Sequence, residues 1–250
     1  MASWKRYEEL RPDDLASCVA ESPVAFWPLG LLEHHGWHLP LGFDGIKANR
    51  ICVRVAEQTG GVMLPTMWWG GGGGHDVFNW TLYQQETAYS SILVDTLQKL
   101  VEFGFRAIVV LAGHYPWQST LEKHLPIIQS EHQSVRFLWG TEVKIGGDSL
   151  RLKGDHAALE ETSYGLSLFP ELVDMDALHE GRGSEVWPDG QTPPEDQRHP
   201  RVKFDPNDPL FAQAGEDSRN ASAEHGEEGV SQVVDYLVKQ IQDHLGEEAR

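Results

Sequence analysis

A short segment near the N-terminus concentrates side chains that can bind metal ions. Residues 28–44 read PLGLLEHHGWHLPLGFD and place Glu33, His35 and Asp44 within a dozen positions. Side chains alternate along an extended strand, so Glu33 and His35 are expected to point to the same side. An imidazole beside carboxylates is a ligand set suited to Zn, Mn or Fe. We therefore predict a metal site in this segment.

The elements that must position this segment are buried strands. The apolar run at residues 24–32 predicts a strand that delivers the polar segment at its C-terminal end. Residues 106–111 (RAIVVL) predict a second buried parallel strand, and His114 follows it. Open α/β sheets build their sites at the C-terminal ends of the strands. We therefore expect His114 to lie near Glu33 and His35.

Strand and helix patterns alternate along the chain. This order predicts βαβ crossovers and a mainly parallel sheet covered on both faces. The expected fold is a three-layer α/β/α sandwich, formed by residues 1–250 as a single domain. Residues 180–215 are rich in Pro, Gly and Asp without periodicity, which predicts a long ordered excursion over the surface or an oligomer contact. Further strands are predicted at residues 62–65 and 135–139, and helices at residues 44–57, 86–103, 117–131, 154–168 and 221–245.

The composition argues against several classes of function. Lys and Arg number 20 against 38 Asp and Glu, for a formal charge of -18, and no basic face stands out for a nucleic-acid backbone. Two cysteines without CxxC spacing are too few for a disulfide framework. The N-terminal sequence lacks the apolar core of a signal peptide, and no apolar run reaches membrane-spanning length. A soluble cytoplasmic protein with no membrane partner is expected.

A glycine-rich loop follows the predicted strand at residues 62–65. Trp68 and Trp69 precede five consecutive glycines, residues 70–74, and His75 follows them. The run lacks the Lys-Ser/Thr pair of a phosphate-binding loop. We interpret it as a mobile active-site loop with the tryptophans as apolar walls. The alternative is a flexible surface connection.

Four motifs that span most of the chain resemble, in the same order, those of the creatininase (creatinine amidohydrolase) family. They are E-H-H-G-W-H-L-P-L at residues 33–41 continuing to Asp44, Gly113-His114, His156-Ala157 with Glu161-Thr162-Ser163, and A-S-A-E-H-G at residues 221–226. The first motif is the most specific. The resemblance implies an α/β/α sandwich, usually a homohexamer, that acts on a small molecule. It also implies two divalent metal ions per subunit (Zn, Mn or Fe) at the ends of the strands.

The resemblance implies roles for individual residues as well. Glu33 and His114 would hold one metal ion, His35 would hold the other, and Asp44 would bridge the two. Apart from the resemblance, we predict that the substrate contacts side chains around this centre, namely Trp68, Trp69, His75, Tyr115, Trp117 and Asp155.

The motif at residues 156–163 supplies the remaining candidates. His156 matches the family's catalytic histidine. Glu161 matches the motif's glutamate, and the resemblance makes it a candidate both for catalysis and for ligation of the second ion. On a helix, His156 and Glu160 would share a face and Glu161 would be rotated away. That argument lapses if His156 precedes the helix, and Glu160 stays the alternative ligand.

The chain departs from the family's pattern at three places. Pro116 stands two residues after His114, where creatininase has an acidic ligand, so Glu161 or a water must complete the shell of the second ion. Ala158 replaces the usual glycine. Residues 79–81 (NWT) replace the Pro-Gly-Thr commonly found after the glycine-rich loop. These changes argue against creatinine itself as the substrate.

The expected function is hydrolysis of a small cyclic substrate by water activated between two metal ions, most simply at the C–N bond of a cyclic amide. One alternative keeps the metal ions and opens the ring of a keto-inositol such as a 3-dehydro-scyllo-inosose. Another is a metal-retaining binding protein without catalysis, which Pro116 favours and His156 disfavours. The chain has no G-x-S-x-G elbow, so catalysis by a side-chain nucleophile is a weaker interpretation.

Overall fold

The centre of the molecule is a sheet of parallel strands. The strands are β1 Trp4–Arg6, β2 Val24–Leu29, β3 Gly61–Met63, β4 Ala107–Ala112 and β5 Arg136–Thr141. This computed structural model describes residues 3–183, 186–187 and 190–248, and in them the strand order is β1-β3-β2-β4-β5. β2 and β4 pair from Val24 with Ala107 to Leu29 with Ala112. Both are continuous apolar runs, because helices cover both of their faces.

Helices form a layer on each side of the sheet. Among the described residues the α-helices are α1 Pro12–Glu21, α2 Phe43–Thr59, α3 Glu86–Glu102, α4 Trp117–Glu131, α5 Leu159–Leu168 and α6 Ala223–Glu248. One core joins α2, α5 and α6 to Phe26 and Val109. The other joins α1, α3 and α4 to Ala25 and Ile108. Neighbouring strand residues face opposite sides, so the predicted α/β/α sandwich with a parallel sheet is confirmed.

The structure differs from the sequence-based expectations mainly at the ends of elements. β2 ends at Leu29 rather than at residue 32, so Glu33 and His35 lie in a loop and not in a strand. Their ligand atoms nevertheless lie within 4.8 Å of each other, so the two side chains do point to the same side. α5 begins at Leu159 rather than at residue 154, so His156 precedes the helix. The sequence pattern does not predict β1, because these three residues contain no apolar run.

The described part of residues 180–215 is ordered by an apolar cluster of its own. Phe78, in the loop after β3, stacks on Trp187 and Phe204 and meets Phe211 edge on. Phe211 also meets the ring of His34. This segment therefore folds over the C-terminal edge of the sheet.

No helix in the described ranges has both the length and the apolar character that crossing a bilayer requires.

Candidate metal centre

Three segments meet at the C-terminal edge of the sheet. Glu33 and His35 lie in the loop after β2, Asp44 lies in the first turn of α2, and His114 lies two residues after β4. A Cβ atom on Gly113 would lie 2.0 Å from the backbone oxygen of Asp44. Only glycine allows so close a backbone approach, and β4 therefore delivers His114 directly beside Asp44.

The first ligand group consists of Glu33, Asp44 and His114. His114 Nε2 lies 3.2 Å from the carbonyl oxygen of Gly72. In the neutral ring, which is the form that binds a metal ion, Nε2 carries the proton as a donor to that oxygen and Nδ1 carries the lone pair. Nδ1 lies 3.0 Å from Glu33 Oε2 and 3.3 Å from Asp44 Oδ2. Both oxygens are buried and accept no hydrogen bond from the described residues. A cation satisfies three lone pairs that face one another in this way.

The second ligand group consists of His35, Asp44 and Glu161. His35 Nδ1 lies 3.0 Å from the backbone oxygen of Glu33 and donates to it, which leaves the lone pair on Nε2. Nε2 lies 3.1 Å from Asp44 Oδ1 and 3.6 Å from Glu161 Oε2. Asp44 therefore offers one carboxylate oxygen to each group. The ligand atoms within each group lie no more than 4.8 Å apart, which fits an ion with bonds of about 2 Å.

Opposite charges shift the pKa values of this centre. Burial opposes the charged form of His35, but Asp44 and the other carboxylates raise its pKa to about 9. Burial likewise opposes charge on His114, but Glu33 and Asp44 raise its pKa to about 10. Burial favours neutral carboxyls, yet His114 lowers the pKa of Glu33, and His35 and His114 lower that of Asp44. In the metal-free protein, the protons on His35 and His114 thus balance the charge of these carboxylates. A divalent cation would displace those protons.

A buried lysine beside the second ligand group is absent from the sequence-based candidates. Lys47 Nζ donates to Glu161 Oε1 at 2.9 Å and to Glu142 Oε1 at 2.8 Å. The hydroxyl of Tyr115 also donates to Glu142 Oε1, at 2.7 Å. Glu161 therefore turns only Oε2 toward the ligand group. The one indication in the sequence is that Lys47 stands three residues after Asp44, on the same side of the helix.

His156 lies next to both ligand groups. Its Nε2 donates to the carbonyl oxygen of His34 at 2.9 Å, so Nδ1 carries the lone pair. Its ring centroid lies 3.9 Å from that of His75 and 4.5 Å from that of His35. Burial, and then these two imidazoles, lower the pKa of His156 well below its usual range. The neutral ring can accept a proton, and it can also ligate, since it lies within 4.8 Å of ligand atoms of Glu33 and His35.

The geometry at the start of α5 determines which of the two neighbouring glutamates points into the metal centre. The oxygens of Asp155 accept hydrogen bonds from the backbone N–H groups of Glu160 at 2.7 Å and Glu161 at 3.1 Å. Ala157, at φ 50, donates its N–H to Glu161 Oε2 at 2.8 Å. Glu160 turns outward and meets His225 at 2.8 Å. The structure therefore brings Glu161, and not Glu160, into the centre.

A cavity of about 600 Å³ opens at this centre, a volume that suits a small-molecule ligand. Three of the residues predicted to contact a substrate, His75, Tyr115 and Asp155, line the cavity. Asp44, His114, His156 and Glu161 line it as well. A molecule in the cavity would therefore touch both ligand groups and the candidate catalytic histidine.

The structure does not bring the predicted tryptophan walls to this cavity. Trp117 is 1% exposed, and its Nε1 donates to the carbonyl oxygen of Gly30 at 3.0 Å. Trp68 packs closely over Gly45 of α2, and Trp69 is 46% exposed outside the cavity. Two of these rings pack against the protein and the third is partly exposed, so the cavity described here is lined by none of the three, and their contact with a substrate stays a prediction.

Comparison with known proteins identifies relatives. The family model for creatininase, described as creatinine amidohydrolase, matches residues 8–241. Creatinine amidohydrolase of Pseudomonas putida is 26% identical over 202 residues, which cover 70% of this chain and 73% of the relative. The 3-dehydro-scyllo-inosose hydrolase of Thermotoga maritima is 25% identical over 238 residues, which cover 86% of this chain and 76% of the relative.

Solved structures of creatininases share the fold. One creatinine amidohydrolase (creatininase) structure gives a TM-score of 0.70 at 23% identity and covers 95% of this chain and 96% of that chain. A structure described as creatininase with Mn gives 0.72 at 22% identity and covers 96% and 98%. These likenesses agree with the family match over residues 8–241, and they confirm the resemblance seen in the motifs. The chain belongs to the creatininase family of metal-dependent hydrolases.

Proposed function

We propose that this protein is a dinuclear metal-dependent hydrolase that attacks a carbonyl group of a small cyclic substrate, most simply at the C–N bond of a cyclic amide. The observation that carries the proposal is the position of Asp44. One of its oxygens faces His114 in the first ligand group, and the other faces His35 in the second. A bridging carboxylate would keep two ions close enough to act on one water molecule and one carbonyl group.

The donor atoms of both groups suit divalent ions. The first and second ligand groups would each hold one ion through oxygen and nitrogen atoms, which Zn, Mn and Fe all accept. Pro116 offers no side-chain ligand, and Glu161 fills that place in the second group. Bound ions lower the pKa of a water molecule toward neutrality and polarise a carbonyl oxygen.

Hydrolysis also requires a proton to move from the attacking water to the leaving nitrogen. The water oxygen bonds to the carbonyl carbon, the C–N bond breaks, and the nitrogen leaves with a proton. His156 is placed for this transfer, because it lines the cavity and keeps Nδ1 as the proton-accepting atom. Glu161 is a second candidate, since burial raises its pKa to about 7 even though Lys47 and His35 lower it.

The cavity wall supplies the proposed substrate contacts. His75 and Tyr115 line the cavity on the side of the glycine-rich loop and β4. Asp155 lines it too, and its hydrogen bonds to the first turn of α5 hold its carboxylate in place. Fixed polar groups of this kind orient a small ligand within a pocket.

A second candidate reaction is the opening of a keto-inositol ring. The relative named 3-dehydro-scyllo-inosose hydrolase aligns over 86% of this chain, compared with 70% for creatinine amidohydrolase. Residues 79–81 and Pro116 also depart from the creatininase pattern. The same two ligand groups would polarise a ring ketone, so the substrate pocket distinguishes the two reactions and the metal centre does not.

We also propose that the chain forms a homo-oligomer, and a hexamer by its resemblance to creatininases. Several large apolar side chains are exposed on the single chain, including Leu41, Trp69, Trp80 and Leu82. Exposed apolar surface of this kind supports association between copies. Light scattering of the purified protein measures the number of chains.

Metal analysis combined with a hydrolysis screen tests the proposed activity. The purified protein is expected to hold two divalent ions per chain and to hydrolyse a member of a panel of lactams. His156→Ala is expected to keep both ions while turnover falls about 100- to 10,000-fold. Turnover of oxidised inositols alone would select the second candidate. One bound ion without turnover would indicate a metal-retaining binding protein and contradict the proposal.

A further inference from the structure

Two cationic residues line the cavity without an ion-pair partner among the described residues. Arg201 and Lys144 belong to its wall, together with the ligand residues Asp44, His114 and Glu161. Throughout the described ranges, no carboxylate oxygen lies within salt-bridge distance of either cation. Both residues are exposed and lie at the boundary of the space in which a substrate would bind.

Arg201 and Lys144 differ in this respect from two nearby lysines. The chain carries 38 acidic against 20 basic residues, and both of these lysines have carboxylate partners. Lys153 lies 3.7 Å from Glu216, and Lys203 lies 3.3 Å from Asp208. A cation that stays unpaired at the wall of a cavity keeps its charge available to an anionic ligand.

The two cations reach the cavity from separate segments. Lys144 lies in the turn after β5, where its N–H bonds to the carbonyl oxygen of Thr141 at 2.9 Å. Arg201 lies in the excursion between α5 and α6, where its N–H donates to His199 Nδ1 at 3.4 Å. Thr141 and His199 line the cavity as well. The fold thus brings two residues from distant segments to the lining of one pocket.

We propose that Arg201 and Lys144 form a carboxylate-binding subsite, and that the substrate is a small cyclic amide that carries a carboxylate group. This inference rests on the proposed hydrolase function and specifies its substrate class. The carboxylate binds at the wall while the carbonyl group to be hydrolysed lies at the ligand groups. A guanidinium matches a carboxylate with two parallel hydrogen bonds. In a chain of formal charge -18, an anionic substrate needs such local positive charge and a neutral one does not.

Matched carboxylate and carboxamide compounds test the subsite by binding, without requiring turnover. The probes are 5-oxoproline with 5-oxoprolinamide, and hydantoin-5-acetic acid with its amide, titrated into the zinc-loaded protein by calorimetry. The carboxylate of each pair is expected to bind about tenfold more tightly, and Arg201→Gln is expected to remove that difference. Arg50→Gln is the matched control, because Arg50 lies on α2 outside the cavity, 3.9 Å from the surface residue Glu171.

Each outcome bears on the proposal. Equal binding within each pair, or no binding of either carboxylate, would overturn the subsite. A preference that persists in the double variant Arg201→Gln/Lys144→Gln would show that the carboxylate binds a metal ion directly, and it would overturn the subsite as well. A preference that Arg201→Gln removes, in a protein that hydrolyses neither these compounds nor any of the lactams and oxidised inositols, supports the subsite and contradicts the hydrolase proposal. The two proposals therefore fail separately.

Discussion

The two ligand groups share Asp44 and use the same types of side chain, yet their outer partners differ. In the first group, Glu33 Oε2 lies 3.0 Å from His114 Nδ1. The other oxygen of Glu33 lies 3.3 Å from Nδ1 of His75 and accepts a hydrogen bond from Tyr83 at 3.3 Å. Burial lowers the pKa of His75, so both outer partners are neutral and Glu33 keeps its full charge for an ion.

In the second group, a positive charge occupies the equivalent outer position. Glu161 Oε1 accepts a hydrogen bond from Lys47 at 2.9 Å, while Oε2 lies 3.6 Å from His35 Nε2. The ammonium group offsets part of the glutamate charge, and it repels another cation at short range. Two groups with the same types of ligand can therefore differ in their affinity for a metal ion, because the side chains that contact those ligands differ. We expect the first group to bind its ion more tightly than the second.

Removing one ligand carboxylate at a time is the strongest way to break this comparison. Glu33→Gln is expected to remove the tighter ion and to lower turnover at least about 100-fold, because the first group loses its only unshared carboxylate. Glu161→Gln is expected to remove only the weaker ion. Mass spectrometry of the metal content after dialysis, together with turnover of the same samples, measures both effects.

The residue next to Glu161 supplies the control for these variants. The carboxylate of Glu160 meets His225 at 2.8 Å, outside both ligand groups. Glu160→Gln should therefore keep both ions and its turnover. If the ion that remains in Glu161→Gln dissociated as readily as the ion that remains in Glu33→Gln, the proposed ranking of the two groups would be wrong.

Lys47 offers a test of the outer partner itself. Lys47→Met leaves Glu142 and Glu161 buried without their shared cation, and loss of one partner of a buried pair costs about 3–5 kcal/mol. Urea unfolding of the metal-free protein is expected to show a loss of this size. The double variant Lys47→Met/Glu142→Gln should recover part of it, since one uncompensated charge is gone.

An exposed lysine calibrates the effect of Lys47. Lys99 pairs with Glu102 on the surface of α3, where both side chains are more than half exposed. Lys99→Met should change the free energy of unfolding by at most about 1 kcal/mol. A loss at Lys47→Met no larger than this would show that the buried lysine does not secure Glu161.

The fold could be predicted from the sequence because local patterns determine most of it. β2 and β4 each contain six buried residues in an unbroken apolar run, and such runs alternate with helical periodicity. β1 could not be predicted from the apolar pattern, because it forms through backbone pairing with β3, as between Trp4 and Gly61, and not through burial of its side chains. The end of β2 at Leu29 could not be predicted for a related reason, since Gly30 and Leu31 stay buried after the strand ends.

The site could be predicted only as far as residue type reveals chemistry. Carboxylates and imidazoles at strand ends stand out as ligand candidates wherever they occur. The contact of Lys47 with Glu142 joins residues 95 positions apart, and only tertiary packing creates it. Aromatic residues give little indication of their role, because the same ring can line a pocket or support a loop. Trp117 supports a loop, through its hydrogen bond to Gly30.

The imidazoles of the two groups predict that the metal-free protein loses stability as the pH rises. Burial opposes their charged forms, but the carboxylates raise the pKa of His35 to about 9 and that of His114 to about 10, from 6.5. The protonated rings stabilise the fold fully below pH 6.5, and this contribution is lost as the pH rises through 9 and 10. Urea unfolding across this range is expected to show a fall on the order of a few kcal/mol.

The zinc-loaded protein and one variant sharpen the pH prediction. Bound ions have already displaced the two protons, so the loaded protein should show a smaller fall. His114→Gln should remove the part of the fall at the highest pH, because its pKa is the higher of the two. Stability that stays constant or rises with pH in the metal-free protein would contradict the assigned charge states.

The smallest expected effect on metal affinity comes from the tyrosine hydroxyl groups on the outer side of the two ligand groups. Tyr83 donates to Glu33 Oε1 at 3.3 Å, and Tyr115 donates to Glu142 Oε1 at 2.7 Å. Tyr83→Phe should weaken the tighter ion about tenfold, because Glu33 loses a partner that orients it. Tyr115→Phe should leave that ion unchanged, since its hydroxyl acts on the Lys47 side. Stepwise competition with a chelator yields both binding constants for each variant. If both variants weakened binding of the tighter ion equally, the two ligand groups would be coupled. The outer partners could then not explain a difference in metal affinity between the two groups.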